Sequence, residues 1–168
     1  LAYVTEDRKG NGLILTNPIR VNTTLANLEG VSAHGLVDQD REYAVSDDYR
    51  QKLRTKCTGV EQNVGNLSGG NQQKVLLAKW MFTDPDILIL DEPTRGIDVG
   101  AKYEIYCIIN ELVASGKSVI MISSELPEVL GMSDRIYVMN EGRIVGEFQQ
   151  DEASQERIMA CILKSSNR

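Results

Sequence analysis

Short apolar runs and longer amphipathic segments follow one another along the chain, and each kind predicts a different element. The run at residues 2–6 predicts a short strand, and the runs at 86–90 and 118–123 predict parallel strands buried on both faces. The segments between and after them predict helices at about residues 21–28, 40–55, 68–83, 101–115, 125–130 and 155–163. Residues 135–139 and 143–148 predict a hairpin. This order predicts an α/β fold with a mostly parallel sheet flanked by helices.

The segment at residues 13–66 is helical and polar and shows no strand signal, so it predicts a helical subdomain inserted in the α/β core. In the helix at 40–55, the predicted inward positions are Tyr43, Tyr49 and Leu53. In the helix at 101–115, one apolar face is predicted from Ile105, Ile108, Ile109, Leu112 and Val113. The chain is thus predicted to divide into a first piece of the core at 1–12, the helical subdomain at 13–66, a motif with its helix at 67–83, and the rest of the core at 84–168.

The composition is that of a globular protein, with 42% hydrophobic and 25% charged residues in a chain of 168. The net charge of −6 argues against nucleic acid as the main partner, because a phosphate-binding surface is basic. The widely spaced Cys57, Cys107 and Cys161 predict reduced thiols, and His34 is predicted to lie in a solvated loop. No apolar run is long enough to span a bilayer. The chain begins at Leu1 inside a strand-like pattern, which predicts a fragment of a longer protein.

Two carboxylates, Asp91 and Glu92, follow the strand predicted at 86–90, and we name them the acid pair. Open α/β sheets bind ligands at the carboxyl ends of their strands. In phosphoryl transfer one acid holds Mg²⁺, usually through water, and a second acid orients or deprotonates the attacking water. This chemistry assigns Asp91 to the metal and Glu92 to the water. The alternative is a helix cap and a surface acid after a core strand.

A turn with two glycines, Ser68 to Gly70, opens the helix predicted at 68–83. Glycines let a ligand approach the backbone closely, and the first N–H groups of a helix attract an anion. The functional interpretation is a phosphate site, and the alternative is an ordinary Ser-capped helix. The acid pair and the turn at 96–98 follow in the order that a nucleotide-hydrolysing site requires, which favours the functional interpretation.

Residues 67–73, Leu-Ser-Gly-Gly-Asn-Gln-Gln, closely resemble the signature motif of ABC-type ATPases, and we name them the signature segment. Residues 87–92 resemble the Walker B strand of that family, and residues 96–98 lie where it has its D-loop. The runs 90–102, 123–128 and 4–9 are similar to the second nucleotide-binding domain of bacterial monosaccharide importers, most of all the xylose or multiple-monosaccharide branch. The resemblance covers nearly the whole chain and implies a partial P-loop NTPase (RecA-like) ABC ATPase core.

The resemblance implies an ATPase with ATP and Mg²⁺ as its cofactors. In trans, nucleotide held by a partner domain is contacted by Ser68, Gly69, Gly70, Asn71 and Gln72. In cis, Asp91 binds the metal through water and Glu92 is catalytic, while Asp98 links the two sites at the interface.

The implied partners are a second nucleotide-binding domain, an integral-membrane sugar permease and, indirectly, a periplasmic sugar-binding protein. The implied location is the cytoplasmic face of the bacterial inner membrane, with the protein bound peripherally. The implied function is to couple ATP hydrolysis to monosaccharide uptake.

Three features depart from the family pattern. The phosphate loop G-x-x-x-x-G-K-[ST] is absent, because the tripeptide at 116–118 follows a helix instead of a strand. The loop is therefore expected upstream of Leu1, and the fragment alone is predicted to be inactive. Glu6 replaces a Gln that senses metal, and Ser124 replaces a His that contacts the γ-phosphate. Glu6 still offers an oxygen to metal or water, whereas Ser124 offers no charge.

Two alternatives stay open. One is a degenerate regulatory half that only clamps ATP bound by the partner domain, and the other is a non-transport ABC ATPase acting on DNA or ribosomes. The charge of −6 opposes the second. The basic residues near the motifs, Lys74, Arg95 and Lys102, are predicted to be solvated surface charges.

Overall fold

The computed structural model describes residues 1–165, and the chain divides into two compact units at the boundary between Ile122 and Ser123. The strands of the first unit are β1 (Ala2–Val4), β2 (Ser32–Ala33), β3 (Leu36–Val37), β4 (Ile87–Asp91) and β5 (Ser118–Ile122). Its α-helices are α1 (Ile19–Thr24), α2 (Gln39–Lys52), α3 (Gly69–Met81) and α4 (Val99–Ala114). The second unit contains α5 (Leu126–Met132), β6 (Arg135–Asn140), β7 (Arg143–Gln149) and α6 (Gln155–Ser165).

A parallel sheet of three strands, in the order β1-β4-β5, forms the centre of the first unit. The register places Tyr3 beside Ile89, and Ile89 beside Ile120. All three carboxyl ends therefore lie at the same edge of the sheet, where the acid pair follows the central strand. The predicted parallel sheet flanked by helices is confirmed.

The two faces of this sheet differ in exposure. One face is closed, and α3 and α4 contact the strands of the sheet. Its buried side chains, each at most 2% exposed, are Ala2, Val4, Leu88 and Leu90. The opposite face is apolar but exposed by 39–53% at Tyr3, Ile87, Ile120 and Ile122. The prediction that β4 and β5 are buried on both faces is therefore wrong for the part of the chain described here.

The segment at 13–66 contains a small hairpin as well as helices, so the prediction that it lacks strands is wrong. Strands β2 and β3 pair around His34 and Gly35, which both have left-handed backbone angles (φ 54° and 81°). Two such residues form the tight turn that joins antiparallel strands. His34 does lie in a solvent-exposed turn, as predicted.

Helix α2 packs through polar side chains, which the apolar pattern could not indicate. Leu53, just after the helix, is buried as predicted, but Tyr43 is 48% exposed. The inward positions are Glu42 and Ser46, and Glu42 accepts hydrogen bonds from Arg20 and Thr24. A paired, hydrogen-bonded carboxylate is one of the few charged groups that a protein interior accommodates.

Helices α3 and α4 pack against each other and against strands of the parallel sheet. Four of the five predicted apolar positions of α4 are buried, while Val113 is 46% exposed. Lys74 of α3 is 1% exposed, so the prediction that it is a solvated surface charge is wrong. Its Nζ donates to the Arg54 carbonyl oxygen (3.0 Å) and contacts Glu104 Oε2 of α4 at 2.8 Å. The hydrogen bond from Lys74 lowers the pKa of Glu104 below its ordinary value.

The second unit is built on the predicted antiparallel hairpin. Strands β6 and β7 pair around Glu141 and Gly142, whose φ angles are 47° and 73°. Helix α6 packs against both strands, and the core is formed by Ile136, Val138 and Ile158. Across residues 1–165, none of the helices combines the length and the apolar composition that a membrane span needs.

Candidate functional site

The carboxyl end of β4 carries the acid pair on an unusual backbone. Asp91 is the last residue of the strand, and Glu92 has a left-handed φ of 48°. The Glu92 N–H donates to the Ile122 carbonyl oxygen (2.9 Å), and its own carbonyl oxygen accepts from the Arg95 N–H (3.1 Å). A non-glycine residue with left-handed backbone angles costs about 1 kcal/mol or more of conformational free energy, and such residues cluster at functional sites.

Asp91 is bound by a residue of the neighbouring strand. The Tyr3 hydroxyl donates to Asp91 Oδ2 at 2.6 Å, and this bond raises the pKa of the Tyr3 phenol above its ordinary value. Residues 1–165 hold no cluster of three or more acidic, His or Cys side chains that would cage a metal by themselves. Mg²⁺ does not need such a cage, because it commonly takes one or two carboxylates together with waters and substrate phosphates. The donor set at Asp91 fits that ion.

The loop after β1, residues 6–9, is joined to the turn after the acid pair, and we name it the Glu6 loop. The Arg95 guanidinium donates to Glu6 Oε1, and both side chains are exposed to solvent. An open cleft of about 280 Å³ lies between this loop and Arg95. The Arg95 side chain is 65% exposed, as predicted for a solvated surface charge, and it also pairs with Glu6. The prediction of a metal-binding role for Glu6 stays open, and its carboxylate is engaged by Arg95 in this structure.

Arg8 also binds the turn that follows the acid pair, and the sequence patterns did not single it out. Its Nη1 donates to the Arg95 carbonyl oxygen (2.9 Å) and its Nη2 to that of Gly96 (3.5 Å). A methyl group at Gly69 would lie 3.1 Å from Nη2. Burial lowers the pKa of this guanidinium. Arg8 thereby brings together the Glu6 loop, the turn at 95–96 and the start of α3.

The start of the signature segment is open to solvent. Ser68 is exposed and occupies the N-cap position of α3, but its side chain makes no capping bond to the backbone. Its hydroxyl instead accepts from Asn71 Nδ2 (2.9 Å), while Asn71 Oδ1 accepts from the Lys56 N–H (2.9 Å). The predicted position of the cap is confirmed, but the Ser68 hydroxyl bonds Asn71 and makes no capping bond.

Gly70 and Gln72 serve the packing of this segment. A methyl group at Gly70 would lie 2.6 Å from Ala101 Cβ, so only glycine allows α3 to approach α4 this closely. The Gln72 side chain is 4% exposed, and its Nε2 donates to the carbonyl oxygens of Val64 (3.2 Å) and Leu67 (3.3 Å). The Gln72 side chain therefore points into the protein in this structure, and the predicted contact of Gln72 with nucleotide in trans stays a prediction.

The remaining predicted positions lie around these two features or in the second unit. Asp98 caps α4, since its Oδ1 accepts from the Ala101 N–H (3.0 Å). Ser124 lies in the second unit, and its predicted switch role is not tested. Lys117 follows the end of α4, and its Nζ donates to Asp84 Oδ1 (2.7 Å). The tripeptide at 116–118 thus joins a helix to a strand, as predicted, and does not form a phosphate loop.

The chain is similar to proteins that carry sugar-transport names. A model of the ABC transporter family matches residues 5–95, more than half of the chain. The chain is 60% identical over 166 residues to the L-arabinose transport ATP-binding protein AraG of Geobacillus stearothermophilus, covering 99% of this chain and 32% of that protein. It is 56% identical over 161 residues to the xylose import ATP-binding protein XylG of Geobacillus kaustophilus, covering 96% and 32%.

Solved structures agree with the fold. The MJ1267 ATP-binding cassette of an ABC transporter superposes with a TM-score of 0.77 at 19% identity, covering 95% of this chain and 67% of that one. The chain spans about a third of the length of its sugar-transport relatives. Because this family model matches more than half of the chain, the chain belongs to the ABC transporter family.

Proposed function

We propose that this chain is the later part of the second nucleotide-binding domain of a bacterial monosaccharide importer, and that the domain couples ATP hydrolysis to sugar uptake. The observation that carries the proposal is the acid pair at the carboxyl end of β4, with Glu92 in a left-handed conformation. Relatives named for arabinose and xylose transport support the class of substrate.

Within this site Asp91 and Glu92 divide the work. Asp91 would hold Mg²⁺, through water, and a bound ion would supply positive charge to offset that of the ATP phosphates. Glu92 orients the attacking water and accepts its proton. The Ile122 carbonyl oxygen supports this arrangement, because it fixes the backbone of Glu92.

The signature segment acts on nucleotide held by a partner domain. Ser68 is exposed at the start of α3, where N–H groups and the helix dipole attract a phosphate. Asn71 orients the Ser68 hydroxyl through the bond between them. Gly69 keeps the approach open, and Asp98 lies at the domain interface after the turn that Arg8 holds.

The phosphate loop of this domain lies outside the 168 residues. The apolar face of the sheet at Tyr3, Ile87, Ile120 and Ile122 is exposed, whereas parallel sheets are normally covered on both faces. The relatives are about three times longer than this chain, which gives room for the missing layer. The 168 residues alone therefore bind ATP weakly and do not turn it over.

The working partners are a second nucleotide-binding domain, an integral-membrane permease and, through the permease, a periplasmic sugar-binding protein. The protein acts peripherally at the cytoplasmic face of the inner membrane. One alternative has support of its own, namely a regulatory half that only clamps ATP of the partner domain. Glu6 is paired with Arg95, and Ser124 carries no charge, so neither residue contributes an ordinary switch group.

The variant Glu92→Gln in the full-length protein distinguishes a site that hydrolyses ATP from a regulatory half that only clamps it. If this site hydrolyses ATP, the variant should retain ATP through gel filtration and slow turnover at this site by about 100-fold, because the general base is lost. Glu111→Gln, on the exposed part of α4, is the matched control and should behave as wild type. Unchanged turnover in Glu92→Gln would favour the regulatory half.

A further inference from the structure

We propose that Tyr3 is a positioning residue for Asp91, and that its hydroxyl holds the carboxylate in the orientation in which Asp91 receives Mg²⁺. The inference rests on the proposed function above, since it assigns a supporting residue to the metal-binding acid. Nothing in the sequence pattern pointed to Tyr3, which looks like an ordinary aromatic residue in a strand.

The sheet register places the two side chains within reach. Tyr3 lies beside Ile89, and Asp91 is two residues further along β4, so the two side chains project from the same face of the sheet. The two residues are not directly opposite each other, and the long tyrosine side chain spans the gap between the strands to reach the carboxylate. The resulting distance from Tyr3 Oη to Asp91 Oδ2 is 2.6 Å.

The bond orients the carboxylate and leaves Oδ1 available as an acceptor. An ionised carboxylate accepts through both oxygens, so a donor on Oδ2 leaves Oδ1 for a metal-bound water. A distance of 2.6 Å belongs to the short hydrogen bonds that a hydroxyl makes to a charged acceptor. Partners of this kind fix the orientation of a ligating group, and their loss typically weakens metal binding by about 10–100-fold.

The surroundings of Tyr3 explain why the hydroxyl matters more than the ring. The nearby residues on this face of the sheet, Ile87, Ile89 and Ile120, are all apolar. Phenylalanine would pack against them as well as tyrosine does. Tyr3→Phe therefore removes the bond to Asp91 and leaves the packing in place.

The test measures metal binding directly in the full-length protein. Mn²⁺ binding in the presence of a non-hydrolysable ATP analogue, followed by electron paramagnetic resonance, should be about 10-fold weaker in Tyr3→Phe at one class of sites. The Mg²⁺ concentration that half-saturates turnover should rise by a similar factor, with kcat at saturating Mg²⁺ little changed. Tyr43→Phe is the matched control, because Tyr43 is 48% exposed and Tyr3 is 46% exposed.

A second variant separates positioning from a general effect on the fold. In an Asp91→Asn background, Tyr3→Phe should add no further loss of Mn²⁺ binding, because the two residues act through one bond. A further tenfold loss there, or a wild-type Mn²⁺ isotherm for the single Tyr3→Phe variant, would overturn the role of Tyr3. If the wild-type protein itself binds no Mn²⁺ with the analogue, the proposed function fails and the role of Tyr3 fails with it.

Discussion

The acid pair and the signature segment are held in place by contacts of very different range. Tyr3, Arg8 and Glu6 bind the segment 91–96 across sequence separations of 88, 87 and 89 residues. The side-chain bonds of Ser68, Asn71 and Gln72 span only 3 to 15 residues. The acid pair and the turn after it thus depend on the assembled sheet, whereas the signature segment is largely a local structure. This difference predicts that substitutions at the two ends fail in different ways.

The largest effect is expected at Glu92, which combines a strained backbone conformation with the proposed role of general base. Glu92→Gly should lower single-turnover phosphate release at this site by about 100-fold or more in the full-length protein, since the general base is gone. The same change should raise the free energy of unfolding by about 0.5 kcal/mol, because glycine adopts a left-handed φ without strain but is more flexible when unfolded. Urea unfolding followed by Trp80 fluorescence measures the second quantity.

Arg54→Gly is the control for this pair of effects. Arg54 is exposed in the same unit, has a φ of 52° and lies outside the acid end. The Arg54→Gly variant should show a similar increase in the free energy of unfolding and unchanged ATP turnover. A loss of turnover in Arg54→Gly would break the link between the strain at Glu92 and its chemistry.

Gly70→Ala probes the closest long-range approach of the signature segment. The added methyl group would lie 2.6 Å from Ala101 Cβ, and overpacking of this kind costs about 2 kcal/mol of unfolding free energy. Gly70→Ala combined with Ala101→Gly returns the space, so the double variant should recover part of the loss. Trp80 fluorescence in urea again gives the free energies. Equal losses in the single and double variants would mean that the start of α3 does not depend on α4.

Glu104→Gln tests the ion pair between Lys74 of α3 and Glu104 of α4. Lys74 is 1% exposed and keeps the Arg54 carbonyl oxygen as a partner, so we expect a loss of about 1 kcal/mol at pH 7. Because Glu104 is partly exposed, we expect a smaller loss of unfolding free energy than for a fully buried ion pair.

The pH dependence of that loss follows from the lowered pKa of Glu104. Its ordinary value is 4.5, and Lys74 holds it lower in the folded state. The carboxylate therefore contributes its full stability above about pH 4.5, and the contribution disappears as the pH falls through the folded-state pKa. The difference between wild type and Glu104→Gln should shrink over that interval. A difference that stays constant as the pH falls below 4.5 to the limit at which the protein remains folded would exclude the ion pair as its source.

Local signals predicted well in this chain, and long-range ones did not. The strand before Asp91, the helix after Ser68 and the hairpin at 135–148 follow from periodicity and turn residues, and the structure has all three. Lys74 was misjudged because its partner Glu104 lies 30 residues away in sequence, and the ion pair of the exposed Arg95 with Glu6, 89 residues away, was not anticipated. No spacing rule places such pairs side by side before the sheet order is known.

The same limit explains the polar interior of α2 and the exposed face of the sheet. Glu42 looks like a surface residue until Arg20 and Thr24 are brought against it by the packing of α1 on α2. The apolar runs at β4 and β5 indicate buried strands, but within the described residues only one face of the sheet is covered, and Ile87, Ile120 and Ile122 on the other face are exposed. The positions of Tyr3 and Arg8 beside the acid pair are likewise products of the strand order β1-β4-β5.

The smallest effect on stability is expected for Ser68→Ala, and it sharpens the contrast between the two ends most directly. Removing an N-cap serine ordinarily costs about 1 kcal/mol, because a helix N–H loses its acceptor. Ser68 makes no such bond, so its loss should change the unfolding free energy in urea by less than about 0.5 kcal/mol. Asp98→Ala is the matched comparison, because Asp98 does cap its helix and should cost about 1 kcal/mol. If Ser68→Ala costs as much as Asp98→Ala, the Ser68 hydroxyl is structural and the ordinary capped helix explains it; if it costs little while turnover of the full-length protein falls, the hydroxyl is there for the phosphate of the partner domain.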